Sequence, residues 1–251
     1  MTEQFNLSER KKAYFISDAH LGSLALNDNK QRELLLVRWL EDIRKDAGAV
    51  FFVGDIFDFW FEYKKVVPKG YVRILGKMAE IADSGIPVHF LTGNHDAWTF
   101  DYLPSELGII VHHAEIKIAI SGKKFFIAHG DKLDCFESGF LKKMFANRFL
   151  QKCFAWLHPR IGIAIAEKWS KNSRLMKNQE QFKNENEGLL VFAKSVLKQE
   201  EFDYMIFGHR HLLIDIPIET GTRFIILGDW INYFSYGVFD GSNFELKRYT
   251  K

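Results

Sequence analysis

The stretch KAYFISDAH, residues 12–20, joins a short apolar run to a polar cluster, and its reading decides the fold. Lys12–Ser17 has the length and the bulky apolar content of a buried strand. Asp18 and His20 stand two residues apart, so in an extended segment both side chains share one face. The same arrangement recurs along the chain. Gly54-Asp55-Ile-Phe-Asp58 follows Ala49–Val53, and Gly93-Asn94-His95-Asp96 follows Pro87–Leu91. His129-Gly130-Asp131 follows Lys124–Ala128, and Gly208-His209-Arg-His211 follows Tyr204–Phe207. Ligands in α/β sheets bind outside the carboxyl ends of strands, so the five clusters are expected to converge.

Between these strands, Asn27–Asp46 carries Leu34, Leu35, Val37, Leu40 and Ile43 at helical spacing, with Asn27 or Asp28 as its cap. Tyr71–Asp83 reads as a second helix. The alternation predicts βαβ units around a sheet. Glu115–Ile120 and Lys124–Ala128 flank the turn signal Ser121-Gly122 and predict a hairpin. From Lys132 to Lys198 the pattern is helical. Tyr204–Phe207, Leu212–Ile218, Arg223–Leu227, Tyr236–Phe239 and Phe244–Tyr249 then predict strands, mostly antiparallel. The expected organisation is a core of residues 1–131 and 199–251 with a helical cap inserted at 132–198.

The 251 residues are 47% hydrophobic and 26% charged, which excludes a disordered or fibrous chain. Apolar runs such as Ile161–Ala166 fall far short of the roughly 18 residues of a membrane helix. Residues 1–12 lack the apolar stretch of a secretory signal. Two cysteines, Cys135 and Cys153, give no disulfide framework and point to a reducing, cytoplasmic setting. A net charge of +2 makes no global case for nucleic acid. The 24 Phe, 8 Tyr and 6 Trp are an excess that the fold must place.

Asp, Asn and His side chains suit Mn²⁺, Fe²⁺, Zn²⁺ or Mg²⁺, and no thiolate is needed. Gly54, Gly93, Gly130 and Gly208 beside them allow sharp turns or close approach. Single histidines (His89, His112, His113, His158) read as structural or surface residues. Asp58 reads either as a cap of the following segment or as a substrate contact. Asp131 reads either as a partner of the ligand histidines or as a bystander.

In this order the clusters resemble the calcineurin-like metallophosphoesterase family, whose succession is DxH, GDxxD, GNHD, H and GHxH. The resemblance spans residues 13–131 and 203–230, with every ligand position filled. It implies a four-layer α/β/β/α sandwich, with the cap as an insertion, and two divalent metal ions, Mn²⁺ by expectation. One metal would take Asp18, His20, Asp55 and His211. The second would take Asp55, Asn94, His129 and His209, with Asp55 bridging. His95 would face the leaving group, with Asp96 orienting it. Two cations suit phosphoester hydrolysis because they acidify a water and neutralise phosphoryl charge. A scaffold that had lost its metals would show substitutions at these positions, and none is present.

The cap speaks to substrate. Residues 132–183 hold eleven Lys or Arg against four acids, so a basic lid sits on a slightly acidic remainder. Phe140, Leu141, Met144, Phe145, Phe149, Leu150, Cys153, Phe154, Trp156 and Leu157 leave almost no polar side on a helical wheel. Such a helix is buried, in an interface, or facing lipid, and its interspersed basic residues suit anionic headgroups. The arrangement resembles the UDP-2,3-diacylglucosamine hydrolase branch of lipid A biosynthesis, whose cap follows an HGD motif. Gly54–Trp60 (GDIFDFW) is similar to that branch's GDxFxxW. Asn172 and Ser173, followed by Arg174 and Lys177, are similar to its late cap residues and would meet the substrate's phosphates. Gly93-Asn94-His95-Asp96 departs from the GNRD of many branch members and follows the general family pattern.

The resemblance implies hydrolysis of the pyrophosphate of a nucleotide-sugar lipid by an enzyme peripheral on the inner membrane's cytoplasmic face. It implies UMP and 2,3-diacylglucosamine 1-phosphate as products. A phosphodiesterase or phosphatase acting on a soluble nucleotide is the alternative. A nuclease would need a basic, aromatic-lined track beside the metals, so nucleic acid is not an expected partner.

Overall fold

The structure, a computed structural model, describes residues 3–8, 11–133, 148–165, 182, 187–218 and 221–250. Strands β2 (Lys12–Ile16), β3 (Ala47–Val53), β4 (Val88–Leu91) and β5 (Ile110–His112) run parallel in one sheet. β11 (Ser235–Phe239) and β12 (Phe244–Arg248) extend it antiparallel, in the order β12-β11-β2-β3-β4-β5. A second sheet has the order β1-β6-β7-β8-β10-β9. Its members are β1 (Glu3–Phe5), β6 (Ile116–Ile120), β7 (Lys123–Ala128), β8 (Tyr204–Phe207), β9 (Leu213–Pro217) and β10 (Arg223–Leu227).

Side-chain alternation turns these sheets into layers. Phe15, Phe51, Phe125, Ile127, Tyr204, Ile206, Ile225 and Leu227 face the space between the sheets. Their neighbours Tyr14, Ile16, Val50 and Phe52 face the other way, onto α1 (Asn29–Ile43), α2 (Val72–Asp83) and α3 (Tyr102–Leu107). On the second sheet Phe126, Ala128, Met205, Phe207, Phe224 and Ile226 face a helix at Gly188–Leu197 through its Leu189, Leu190 and Ala193. The order is therefore α/β/β/α, and central strands buried on both faces explain their unbroken apolar runs. The phenylalanine excess fills the middle: Phe15 stacks on Phe51 at 4.8 Å and on Phe125 at 5.9 Å between centroids.

Several local expectations change. Tyr204–Phe207 pairs parallel with both β7 and β10, not antiparallel, because the long insertion after β7 allows a crossover that a hairpin forbids. The other late pairings, β9 with β10, β11 with β12 and β11 with β2, are antiparallel as expected. Asp28 stands at the N-cap of α1 in a left-handed conformation but makes no side-chain cap bond. Three short elements, β1, α3 and β5, escape the sequence patterns because three to six residues hold too few periods to read. The expected hairpin is present, its turn made by Ser121 and Gly122, both at positive φ. Gly188–Leu197, within the stretch read as cap, packs on the core sheet.

Among the described residues of the insertion, the helix Arg148–Trp156 docks through Phe154. That ring lies 4.8 Å from Phe61, 4.9 Å from Trp98 and 6.2 Å from Phe59. The same helix leaves Phe149 71% and Trp156 91% exposed.

Candidate metal centre

The parallel strands β2, β3 and β4 of one sheet and β7, β8 and β10 of the other bring their carboxyl ends together. Backbone bonds stitch the loops: Asp18 N–H donates to Gly54 O (3.1 Å), Gly208 N–H to His129 O (3.0 Å), and Trp230 N–H to Asp18 O (3.2 Å). Asp18, His20, Asp55, His209 and His211 all have positive φ, between 42° and 66°. L residues seldom adopt that conformation, and its clustering here marks a site held open by its surroundings. Gly208 has a separate reason. A Cβ there would overlap Ser17 Oγ and Asp18 Oδ2.

Compact donor groups result, and one of them, His20 with Asp55 and His95, overlaps two others. Asp18, His20 and His211 offer ligand atoms within 4.8 Å of one another, as do Asp55, His129 and His209. His20 joins them, its Nε2 lying 3.6 Å from both Asp18 Oδ1 and Asp55 Oδ2. His129 Nε2 is 3.3 Å from Asp55 Oδ2, and His211 Nε2 is 3.5 Å from Asp18 Oδ1. Asp18 Oδ1, His20 Nε2 and His129 Nε2 are buried without a hydrogen-bond partner. Buried polar atoms rarely go unsatisfied. Carboxylate and imidazole atoms left so, aimed at one point, fit a divalent cation.

The field of the cluster agrees. Burial alone would raise the Asp18 carboxyl, but His211, His20 and His129 hold it well below the usual range. Asp55 is likewise lowered against its burial by His129 and His95. His129 is raised against its burial by Asp55, then by Asp18 and Asp131.

His95 sits edge-on to His20, centroids 4.7 Å apart, and donates its backbone N–H to Asp55 Oδ1 at 2.9 Å. Burial pushes its imidazole down to about 4, although Asp55 opposes the shift. Its Nδ1 lies 2.8 Å from the Asp58 carbonyl. Asp96 does not orient it. The Asp96 carboxylate turns away and accepts backbone N–H groups from Gly93 (2.7 Å), Ile56 (2.8 Å) and Asp55 (3.3 Å). It ties the β3 and β4 loops together, and burial pushes it up to about 7, with Asp55 adding to the rise. Asp58 is buried, and its Oδ1 faces His20 Nδ1 at 3.4 Å. Asp131 is buried beside His129 in a small cleft with Thr92, His113 and Lys132. Asn94 is exposed at the rim.

Of the remaining histidines, His89 is buried, stacks on Phe51 and meets His112 at 3.0 Å, away from the centre, while His158 is exposed. Asn172, Ser173, Arg174 and Lys177 lie outside the described residues. One buried carboxylate beside the cluster escaped sequence reading. Asp229, directly after β10, is fully buried with Oδ2 3.3 Å from His211 Nδ1. Its signal was a sixth strand ending in Gly-Asp, at Gly228-Asp229.

Residues 11–213 match the family model for calcineurin-like phosphoesterases. The chain is 43% identical over 260 residues to a UDP-2,3-diacylglucosamine hydrolase from Porphyromonas gingivalis, covering 95% of this chain and 97% of that one. It is 26% identical to a UDP-2,3-diacylglucosamine hydrolase from Yersinia pseudotuberculosis, over 86% of this chain and 90% of that one. A dimetal phosphatase from Danio rerio aligns in structure at 14% identity and TM-score 0.48, covering 97% of this chain and all of that one.

Proposed function

Because the chain belongs to the calcineurin-like phosphoesterase family, we propose that its paired donor groups hold two divalent cations, Mn²⁺ by choice of ligands. We further propose that they serve hydrolysis of the pyrophosphate of UDP-2,3-diacylglucosamine to UMP and 2,3-diacylglucosamine 1-phosphate. The observation that carries the reaction class is Asp55, whose one carboxylate oxygen faces histidines of both groups. The substrate follows the relative with which this chain shares 43% identity along nearly its whole length. When bound, the cations would acidify a water near neutral pH and neutralise the phosphoryl oxygens. The protein's own part is positional. Asp18, His20, His211 and Asp55 hold one cation, and Asp55, Asn94, His129 and His209 the other. Asp96 keeps the β3 and β4 loops in register, and the Asp58 carbonyl fixes His95 toward the reacting phosphate. His95 then serves the leaving group.

The direct test is release of UMP from UDP-2,3-diacylglucosamine with Mn²⁺ present and after chelation. Expected is turnover that chelator removes and Mn²⁺ restores. Cleavage of a generic phosphodiester with the lipid left intact would transfer the assignment to a soluble substrate.

A lipid substrate has to be met at a membrane, and no helix among the described residues is long and apolar enough to cross one. The exposed Phe149, Trp156, Ile161 and Ile165, with the exposed Arg160, support a peripheral contact with an anionic surface. Trp156→Ser is expected to weaken binding to vesicles containing anionic phospholipid by about 10-fold or more, since seating one large apolar side chain contributes about 1.5–3 kcal/mol. Co-sedimentation measures it, and unchanged binding removes the helix from the contact.

A further inference from the structure

We propose that Arg32 is a positioning residue that sets the backbone of His20 and so aims its imidazole into the metal cluster. The inference rests on the two-cation reading above and extends it to a residue outside the donor set.

His20 needs such a fixture. Its φ is 42°, in the left-handed region, and Asp18 two residues earlier has φ 53°. Residues other than glycine stay in that region only where their surroundings over-determine it. Neighbouring loops hold part of the turn: Asp18 N–H donates to Gly54 O at 3.1 Å and His20 N–H to Asp55 O at 2.9 Å. The two carbonyls that flank the His20 Cα are held from another side, by Arg32 near the start of α1. Its Nη1 donates to Ala19 O at 2.7 Å and its Nη2 to His20 O at 3.3 Å. The Ala19 carbonyl lies in the peptide plane before the His20 Cα, and the His20 carbonyl in the plane after it. A planar guanidinium bonded to both therefore fixes φ and ψ of that one residue together.

The guanidinium is itself held in place. Arg32 is buried, and its Nη2 also donates to Asn29 Oδ1. Asn29 in turn donates through Nδ2 to Ser23 O (2.7 Å) and Leu26 O (3.1 Å). The ring that this framework aims carries Nε2 to 3.6 Å from both Asp18 Oδ1 and Asp55 Oδ2. His20 shares one donor group with Asp18 and His211 and another with Asp55 and His95. A turn of its backbone would swing Nε2 away from both carboxylates at once.

Arg32→Met keeps the apolar stem and removes the fork. Arg32→Lys keeps the charge but offers a point donor in place of a planar pair. The readout is Mn²⁺ uptake by the full chain, stripped with chelator and followed by equilibrium dialysis, beside thermal unfolding of the stripped chain. In Arg32→Met one of the two ions, the one assigned to Asp18, His20 and His211, is expected to bind about 10–100-fold more weakly, the usual cost of losing a support behind a metal ligand. Arg32→Lys is expected to recover no more than part of that loss. Leu36→Ala truncates a buried side chain of the same helix. It is expected to lower the unfolding temperature and to take up Mn²⁺ as wild type does. Wild-type uptake by Arg32→Met or by Arg32→Lys would overturn the proposal. An equal loss in Leu36→Ala would also overturn it, and would make Arg32 a prop of α1 alone. Should Arg32→Met not fold, Arg32→Lys carries the same decision. Uptake of fewer than two ions by the wild-type chain would overturn the two-cation reading, while weaker uptake in Arg32→Met than in that chain would leave this inference standing.

Discussion

Asp55→Asn is expected to lower kcat by about 10⁴-fold or more while the chain still folds, the largest effect of any single substitution here. Asp55 is 1% exposed, and its Oδ2 lies 3.6 Å from His20 Nε2 and 3.3 Å from His129 Nε2. Its Oδ2 thus faces histidines of both donor groups. Its Oδ1 also accepts the His95 backbone N–H, so the proposed bridge and the proposed catalytic imidazole share an anchor. Asparagine preserves the volume but supplies one oxygen in place of two and halts charge compensation between the groups. If the NH₂ takes the Oδ2 position, it turns a donor toward two nitrogens that need an acceptor. Bound Mn²⁺ measured by atomic emission should fall below two per chain along with kcat. A variant holding two ions and working within tenfold of wild type would disprove the bridge.

His95→Ala should behave differently. The expected loss is about 10²–10⁴-fold in kcat, the usual contribution of a positioned acid or base, with both cations retained. The ring touches the cluster edge-on at His20, and the Asp58 carbonyl takes Nδ1, so chemistry falls to Nε2. Burial keeps the imidazole neutral at pH 7. Parallel measurement of bound Mn²⁺ and kcat separates the two roles. Loss of a cation in His95→Ala would make it a ligand, consistent with its place within 4.8 Å of His20 and Asp55 donors. Full activity would leave the proton to solvent.

The contrast between Asp96 and Asp229 shows where sequence reading succeeds and fails. Asp96 follows His95 directly, and adjacency suggests that the carboxylate orients the ring. Adjacent residues on a turning loop, however, point to different sides, and Asp96 spends its oxygens on backbone N–H groups, that of Gly93 in its own loop and those of Asp55 and Ile56 in the neighbouring one. Asp229 lies 18 residues from the ring it faces. No spacing rule connects them, because β9 and β10 intervene and only the parallel alignment of β10 beside β8 brings Gly228-Asp229 to His211.

The sequence by itself determined the layered α/β class and singled out the polar clusters at the strand ends. Both are carried by local signals, since buried strands read as apolar runs and each ends in a short cluster of Asp, Asn, His and Gly. It also determined that the insertion is basic and apolar together. Tertiary structure alone decided which sheet each strand joins, the parallel pairing of β8, and the gathering of the donors into the groups Asp18–His20–His211, His20–Asp55–His95 and Asp55–His129–His209. It also decided which acceptor stands behind each histidine. These depend on contacts between residues far apart in the chain. Such contacts are set by how the faces of two sheets pack, and no local pattern encodes that packing.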